Sequence, residues 1–219
     1  KKKKNMLATK ICVIDQDSLL EAIQEGIKKE KIHIIGQPAL ENIKPIPKNA
    51  ANNIMFVNQP ISKYPHLKFL NYNEKDVWNI LFDSIKKIRD NYKFFYFAKH
   101  PDDENVILDQ KIVDELKIKV IENGQQKLKS SNTILGMFST IMVDAFFQRK
   151  NVVGIQPSKR KRNCCFLSRK KYIPLVSNSQ ELINVLTNDN KNSDFLKVQQ
   201  TLSGSLNKLN SFFIQEKNN

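Results

Sequence analysis

Asn132–Pro157, NTILGMFSTIMVDAFFQRKNVVGIQP, decides the reading of this chain. It opens as a short apolar strand and turns at Gly136-Met137-Phe138-Ser139-Thr140. It then continues as an amphipathic helix and closes in a second buried strand, Asn151–Ile155. Ser139 and Thr140 fall where that helix begins. A helix start has unpaired backbone N–H groups and the positive end of the dipole, so it suits an anion, and hydroxyls on the same turn add donors. Ser and Thr are also the ordinary N-caps of any helix, so the turn alone does not assign a ligand. A strand, a turn with hydroxyls and a helix is nonetheless a common way for α/β proteins to hold the phosphate of a nucleotide.

Working outward, the chain alternates apolar strands with helices. Lys10–Ile14 and Lys31–Ile35 read as strands around a helix capped by Asp17 or Ser18 and ended by Gly26. Asn53–Val57, Phe94–Ala98, Ile118–Ile121, Asn132–Met137 and Asn151–Ile155 are the next strands, with Ile173–Val176 as a short last one. Helices are predicted over Glu74–Arg89, Val106–Leu116, Thr140–Gln148, Ser179–Leu186 and Asp194–Phe213. The strands are continuously apolar rather than alternating, so both faces are covered, which predicts a parallel sheet between two helical layers. The expected fold class is α/β, a Rossmann-like parallel sheet with helices on both faces. The expected domains are 1–43 as the tail of a preceding Rossmann-like lobe, 44–53 as a proline-bearing linker, 54–190 as the nucleotide-sugar-binding domain and 191–219 as a C-terminal helix. In such sheets ligands bind at the carboxyl ends of the strands. Asn58–Ser62, Lys99–Pro101, Glu122–Gln126 and Gly136–Thr140 all lie there.

Composition narrows the class. The 219 residues are 40% hydrophobic and 26% charged, as in ordinary globular proteins. No stretch has the apolar length of a membrane span, and the leading Lys1–Lys4 has no apolar core of a secretory signal behind it. The first residue is Lys1 rather than Met, so the sequence admits being a piece of a longer protein. A net charge of +14 favours anionic partners, although Lys and Asn are spread along the whole chain as coding bias would also give. Nucleic acid is disfavoured as a partner, because no face interleaves Arg with aromatics. Cys12, Cys164 and Cys165 show no ligand spacing, and with three histidines no metal site is expected. Cytoplasmic localisation fits, and the inner face of the membrane is compatible with the charge.

Lys99-His100-Pro101, Gly136-Met137-Phe138-Ser139-Thr140 and Gly154-Ile155-Gln156-Pro157 carry a resemblance. A strand ending in His-Pro with a Ser-Thr turn two strands later resembles the nucleotide-binding C-terminal lobe of GT-B glycosyltransferases. The nearest likeness is to bacterial sialyltransferases and polysialyltransferases. Similar pairs occur in teichoic acid transferases, capsule enzymes and nucleotide-sugar 2-epimerase-like proteins. The resemblance covers roughly Lys31–Leu186. It implies a transferase of hexosyl or sialyl type, serving a surface polysaccharide or glycan, with a CMP-, CDP- or UDP-linked donor and no tightly bound cofactor. It further implies donor-phosphate contacts from His100, Pro101, Gly136, Ser139 and Thr140, and a base-binding loop at Glu122, Asn123 and Gly124. His100 would stabilise the phosphate of the leaving group.

The sequence departs from that family in one respect. The family's N-terminal lobe carries an acidic pair followed by Gly, and nothing before Gly36 matches it. Asp102-Asp103-Glu104 lacks the Gly and reads as a solvated turn capping the next helix. The general base is therefore unassigned, and the chain reads as a donor-binding half that turns over only when the other lobe is supplied. Lys159, Arg160, Lys161 and Arg162 form a basic run that suits an anionic glycan or polymer acceptor, or peripheral attachment to a membrane, and equally a solvated loop. Two other readings stay open: a non-catalytic module binding a nucleotide or anionic polymer, and a nucleotide-sugar 2-epimerase-like enzyme.

Overall fold

The computed structural model describes residues 9–41, 52–103, 106–158, 163–188 and 204–217. The chain divides into two compact units, residues 1–43 with 196–219 and residues 44–195. The smaller unit opens with β1 (Ile11–Val13), α1 (Gln16–Gln24), β2 (Ile32–Ile34) and α2 (Pro38–Glu41). β1 and β2 pair in parallel, Ile11 opposite Ile32 and Val13 opposite Ile34. The cap of α1 is Asp15 rather than Asp17 or Ser18: its carboxylate accepts from the Ser18 N–H at 2.9 Å and from the Ser18 hydroxyl at 2.8 Å, leaving both expected caps inside the first turn. Gly26, at φ 89°, ends the helix as expected.

The larger unit runs β3 (Asn53–Val57), α3 (Glu74–Ile88), β4 (Phe94–Ala98), α4 (Gln110–Glu115), β5 (Ile118–Ile121), α5 (Gly124–Leu128), β6 (Thr133–Gly136), α6 (Thr140–Phe147), β7 (Asn151–Ile155), α7 (Phe166–Arg169), β8 (Leu175–Val176) and α8 (Ser179–Thr187). Its six strands form one parallel sheet in the order β5-β4-β3-β6-β7-β8. Counted from the first strand of the unit, that order is 3-2-1-4-5-6, the arrangement of doubly wound dinucleotide-binding folds. The order reverses between β3 and β6, so the switch point lies between those two strands.

The register sets what stands above the sheet. Val57 pairs with Ala98 on one side and Gly136 on the other, Ala98 with Ile121, and Gly136 with Gly154. These five residues form one row at the carboxyl ends of five strands. The loops that follow therefore rise from a common level.

Burial explains why the apolar runs become these strands. Every residue of β3 and β6 is buried, as are four of the five in β4 and β7. Phe56, Phe95, Phe97 and Ile54 are among the largest fully buried side chains. Each such side chain contributes roughly 1.5–3 kcal/mol of burial free energy. α3 has a capping box, Asn73 with Asp76, and buries Val77, Leu81, Ser84, Ile85 and Ile88. The Ser84 hydroxyl donates back to Ile80 O at 2.7 Å.

Several elements differ from the sequence expectation, among them α2 and α7, which the sequence reading did not predict. The helix expected from Val106 begins only at Gln110, because the Asp109 side chain caps it by accepting from the Lys111 N–H. Val106 and Leu108 pack on the core from an irregular segment while Ile107 is exposed, an alternation that is not helical. The loop expected at Glu122–Gln126 contains the start of α5. Of the expected linker, 44–51 lie outside the described residues, and Asn53 is already in β3.

The last helix, α9 (Ser205–Lys217), belongs to the smaller unit; of the expected start of this helix, 194–203 lie outside the described residues. The Glu41 carboxylate accepts from the Gly204 and Leu206 N–H groups, both at 2.8 Å, and so caps α9 with a negative charge at its positive end. His33 of β2 lies against Phe212 of α9, ring centroids 4.9 Å apart.

Candidate functional site

Parallel strands lie ~4.8 Å apart, so β4 and β6, on either side of β3, are separated by ~10 Å. Three loops rise from these strands and contain most of the residues singled out from the sequence.

The loop after β4 presents His100. The imidazole is half-buried, and its Nδ1 accepts from the Asp102 N–H at 3.1 Å. A neutral ring accepting at Nδ1 carries its proton on Nε2, so it presents a donor. Pro101 is exposed and turns the chain, with the Asp103 N–H donating to His100 O at 2.9 Å.

The acidic turn after it is not the cap of α4. Asp102 accepts from the Tyr64 hydroxyl, and its carbonyl accepts from Lys63 Nζ. The Tyr64 hydrogen bond holds the Asp102 carboxyl below its ordinary value, helped by the charge of Lys63, and the same bond raises the Tyr64 phenol. Asp103 accepts from Asn58 Nδ2 at 3.4 Å.

Asn58 is the fixed point of this arrangement. It is fully buried, its N–H donates to Ala98 O at 2.9 Å, and its Oδ1 accepts from the Trp78 indole N–H at 2.9 Å. Trp78, which reads from sequence as core, is half-buried on α3 with its polar edge turned to Asn58.

The loop after β6 holds Ser139 and Thr140. Ser139 is the N-cap of α6, its Oγ accepting from the Ile141 N–H at 3.3 Å, and is half-buried. Thr140 is the first helical residue and is exposed. Gly136 is buried beneath them; a Cβ there would lie 2.8 Å from Met142 Sδ, so its smallness lets α6 approach β6. The Phe138 N–H donates to Gln59 Oε1 at 3.0 Å, a contact that crosses the switch point.

The loop after β5 stands beside these. Glu122 is exposed and pairs with Lys99 at 2.9 Å. The Asn123 side chain caps α5 by accepting from the Gln125 N–H at 2.9 Å. Gly124 is buried: a Cβ would meet Ile141 Cδ1 at 3.0 Å and Ala98 Cβ at 3.2 Å. Gln125 Nε2 donates to Asp144 Oδ2 of α6 at 2.7 Å, joining α5 to α6. Lys159, Arg160, Lys161 and Arg162 lie outside the described residues. Among the described residues no group of three or more His, Cys, Asp or Glu is placed to hold a metal ion, and no helix is long and apolar enough to cross a membrane.

The sequence reading placed Asn58–Ser62 at the strand ends but gave Asn58 and Gln59 no role, and it missed Tyr64. The one signal available was that Asn58 and Gln59 directly follow a buried strand, where ligands of parallel sheets gather.

No protein-family model and no curated protein matches the sequence. Solved structures do match. The UDP-GlcNAc 2-epimerase of Methanocaldococcus jannaschii, in complex with UDP-GlcNAc and UDP, superposes with a TM-score of 0.53 at 14% identity, covering 88% of this chain and 59% of that one. The wall teichoic acid polymerase TagF gives a TM-score of 0.53 at 11% identity, covering 96% and 57%. Anabaena Alr3699/HepE in complex with UDP gives 0.56 at 13% identity, covering 98% and 65%. The chain thus spans less than two thirds of the length of each. With its strand order and these neighbours, the larger unit is an α/β, Rossmann-like lobe of the GT-B kind.

Proposed function

We propose that this chain is the donor-binding part of a glycosyltransferase that uses a nucleotide-activated sugar to build a surface polysaccharide or glycan. The observation that carries the reading is the rim itself: the His100 loop, presenting a ring N–H, and the hydroxyl-bearing start of α6 rise from one row on either side of the switch point. Two hydroxyls, the positive dipole end of α6 and an imidazole N–H suit a diphosphate bridging the ~10 Å between their strands.

In this reading the nucleotide phosphate lies over Ser139 and Thr140, and His100 donates to it as the bond to the sugar breaks. Negative charge develops on the leaving phosphate in that step, so donors fixed in advance lower the barrier. Pro101 and Gly136 shape the pocket through their backbone. The base lies by the loop after β5, with Glu122 and Asn123 at its mouth and Gly124 in its floor. The acceptor hydroxyl and the base that deprotonates it come from outside the described rim. Lys159–Arg162 remain candidates for an anionic acceptor or a membrane face. Because two of the similar structures hold UDP, a uridine donor is the first to test.

The test is calorimetric titration with CMP, CDP, UDP and GDP, repeated on Ser139→Ala/Thr140→Ala. A selective pyrimidine nucleotide that binds the wild type, and binds the double variant at least about tenfold more weakly, supports the reading. CMP would mark sialyl transfer, CDP glycerol-phosphate transfer, and UDP a hexosamine donor. Absence of binding by all four, or equal binding by the variant, overturns it. The M. jannaschii neighbour favours a second reading, 2-epimerase-like chemistry. Interconversion of UDP-GlcNAc with its 2-epimer in the absence of any acceptor would select that one.

A further inference from the structure

β3 lies between β4 and β6, so whatever stands above it faces the middle of the proposed phosphate site. Two residues beyond the common row stand His100 after β4, Gln59 after β3 and Phe138 after β6. Asn58 and Pro60, on either side of Gln59, are buried, and Gln59 is the half-buried member of the three. Its Oε1 accepts from the Phe138 N–H at 3.0 Å. That bond fixes which way the carboxamide lies. With Oε1 turned to Phe138, the two N–H donors of Nε2 are turned away from that amide, and they have no protein partner among the described residues.

We infer that Gln59 is a direct contact to the donor phosphate, a neutral amide donor seated between His100 and the start of α6. The inference rests on the nucleotide reading above and goes further by assigning a residue and an atom. One side chain then does two things. Through Oε1 it braces the turn that carries Ser139, and through Nε2 it donates to the anion. A neutral donor fits there because the incoming phosphate brings its own charge; a carboxylate in its place would repel that charge.

Gln59→Glu separates the two roles. The carboxylate still accepts from the Phe138 N–H, so a purely bracing role survives the change. The donors are lost and a negative charge is added, so phosphate contact does not survive it. Uridine, UMP and UDP are titrated against the wild type, Gln59→Glu and the nearly isosteric Gln59→Met, with the thermal midpoint of each variant measured alongside. The expected result is little change for uridine and a loss that grows from UMP to UDP. For Gln59→Glu with UDP the loss is at least about tenfold, and it shrinks, relative to the wild type at the same pH, as the pH falls through the carboxyl range. Gln59→Met loses less, because it adds no charge.

Undiminished UDP affinity in Gln59→Glu overturns the inference and leaves Gln59 as a brace. An equal loss for uridine and UDP also overturns it, since that pattern belongs to a disordered loop. If the wild type selects cytidine instead, the same series is run with cytidine, CMP and CDP; a wild-type protein that binds none of the four nucleotides overturns the underlying functional reading and this one with it.

Discussion

Asn58 concentrates more of the rim in one side chain than any residue that the chemistry would nominate. It accepts from the Trp78 indole and donates to Asp103 while its backbone is tied to β4. A buried polar group that loses its partner costs roughly 1–3 kcal/mol. Asn58→Leu, which strands the Trp78 N–H, is expected to lower stability by about that much in urea unfolding. A loss below a few tenths would show that water replaces the amide. The catalytic-looking residues of this rim were legible in the sequence because His-Pro after a strand and Ser-Thr at a helix start are chemically marked. Asn58, Gln59 and Tyr64 carry no such mark: an amide or a phenol in a loop has no periodicity, and its partners lie 20, 79 and 38 positions away.

At the scale of elements, two glycines hold the helices against the sheet in different ways. At Gly124 an added Cβ meets Ala98 Cβ at 3.2 Å, and the strand carrying Ala98 cannot yield. At Gly136 it meets the thioether of Met142, the far end of a flexible side chain. Gly124→Ala is therefore expected to cost about 1–3 kcal/mol and Gly136→Ala less, as measured by denaturant unfolding of both. The reverse order would mean that α5 moves more readily than Met142 repacks. The long elements were legible for a physical reason: β3, β4, β6 and β7 are buried on both faces, so they are unbroken apolar runs, and α3 repeats its buried residues over four turns. α5 and α7 were not, because helices of five and four residues do not complete enough turns for a period to show.

For the molecule as a whole, the alkaline limb of stability is set in part by buried phenols. Burial pushes Tyr92 up to about 12 and raises Tyr72 as well. In the unfolded chain these groups ionise near pH 10. A folded value above the unfolded one means that the contribution is complete below pH ~10 and is lost as the pH rises towards about 12. Tyr92→Phe is expected to flatten that part of the stability curve when urea midpoints are followed with pH, and an unchanged slope would assign the alkaline loss to other groups.

The row from Ile121 through Ala98 and Val57 to Gly136 and Gly154 has a consequence for ancestry. It is held by main-chain ladder bonds, which any apolar sequence can make, whereas the residues standing above it are tied by side-chain bonds from one loop to another. The sheet and the chemistry of the rim above it are therefore inherited as nearly separate traits. Descendants could exchange one ligand for another by altering a few loop positions, while the scaffold drifts almost beyond recognition in sequence and keeps its shape.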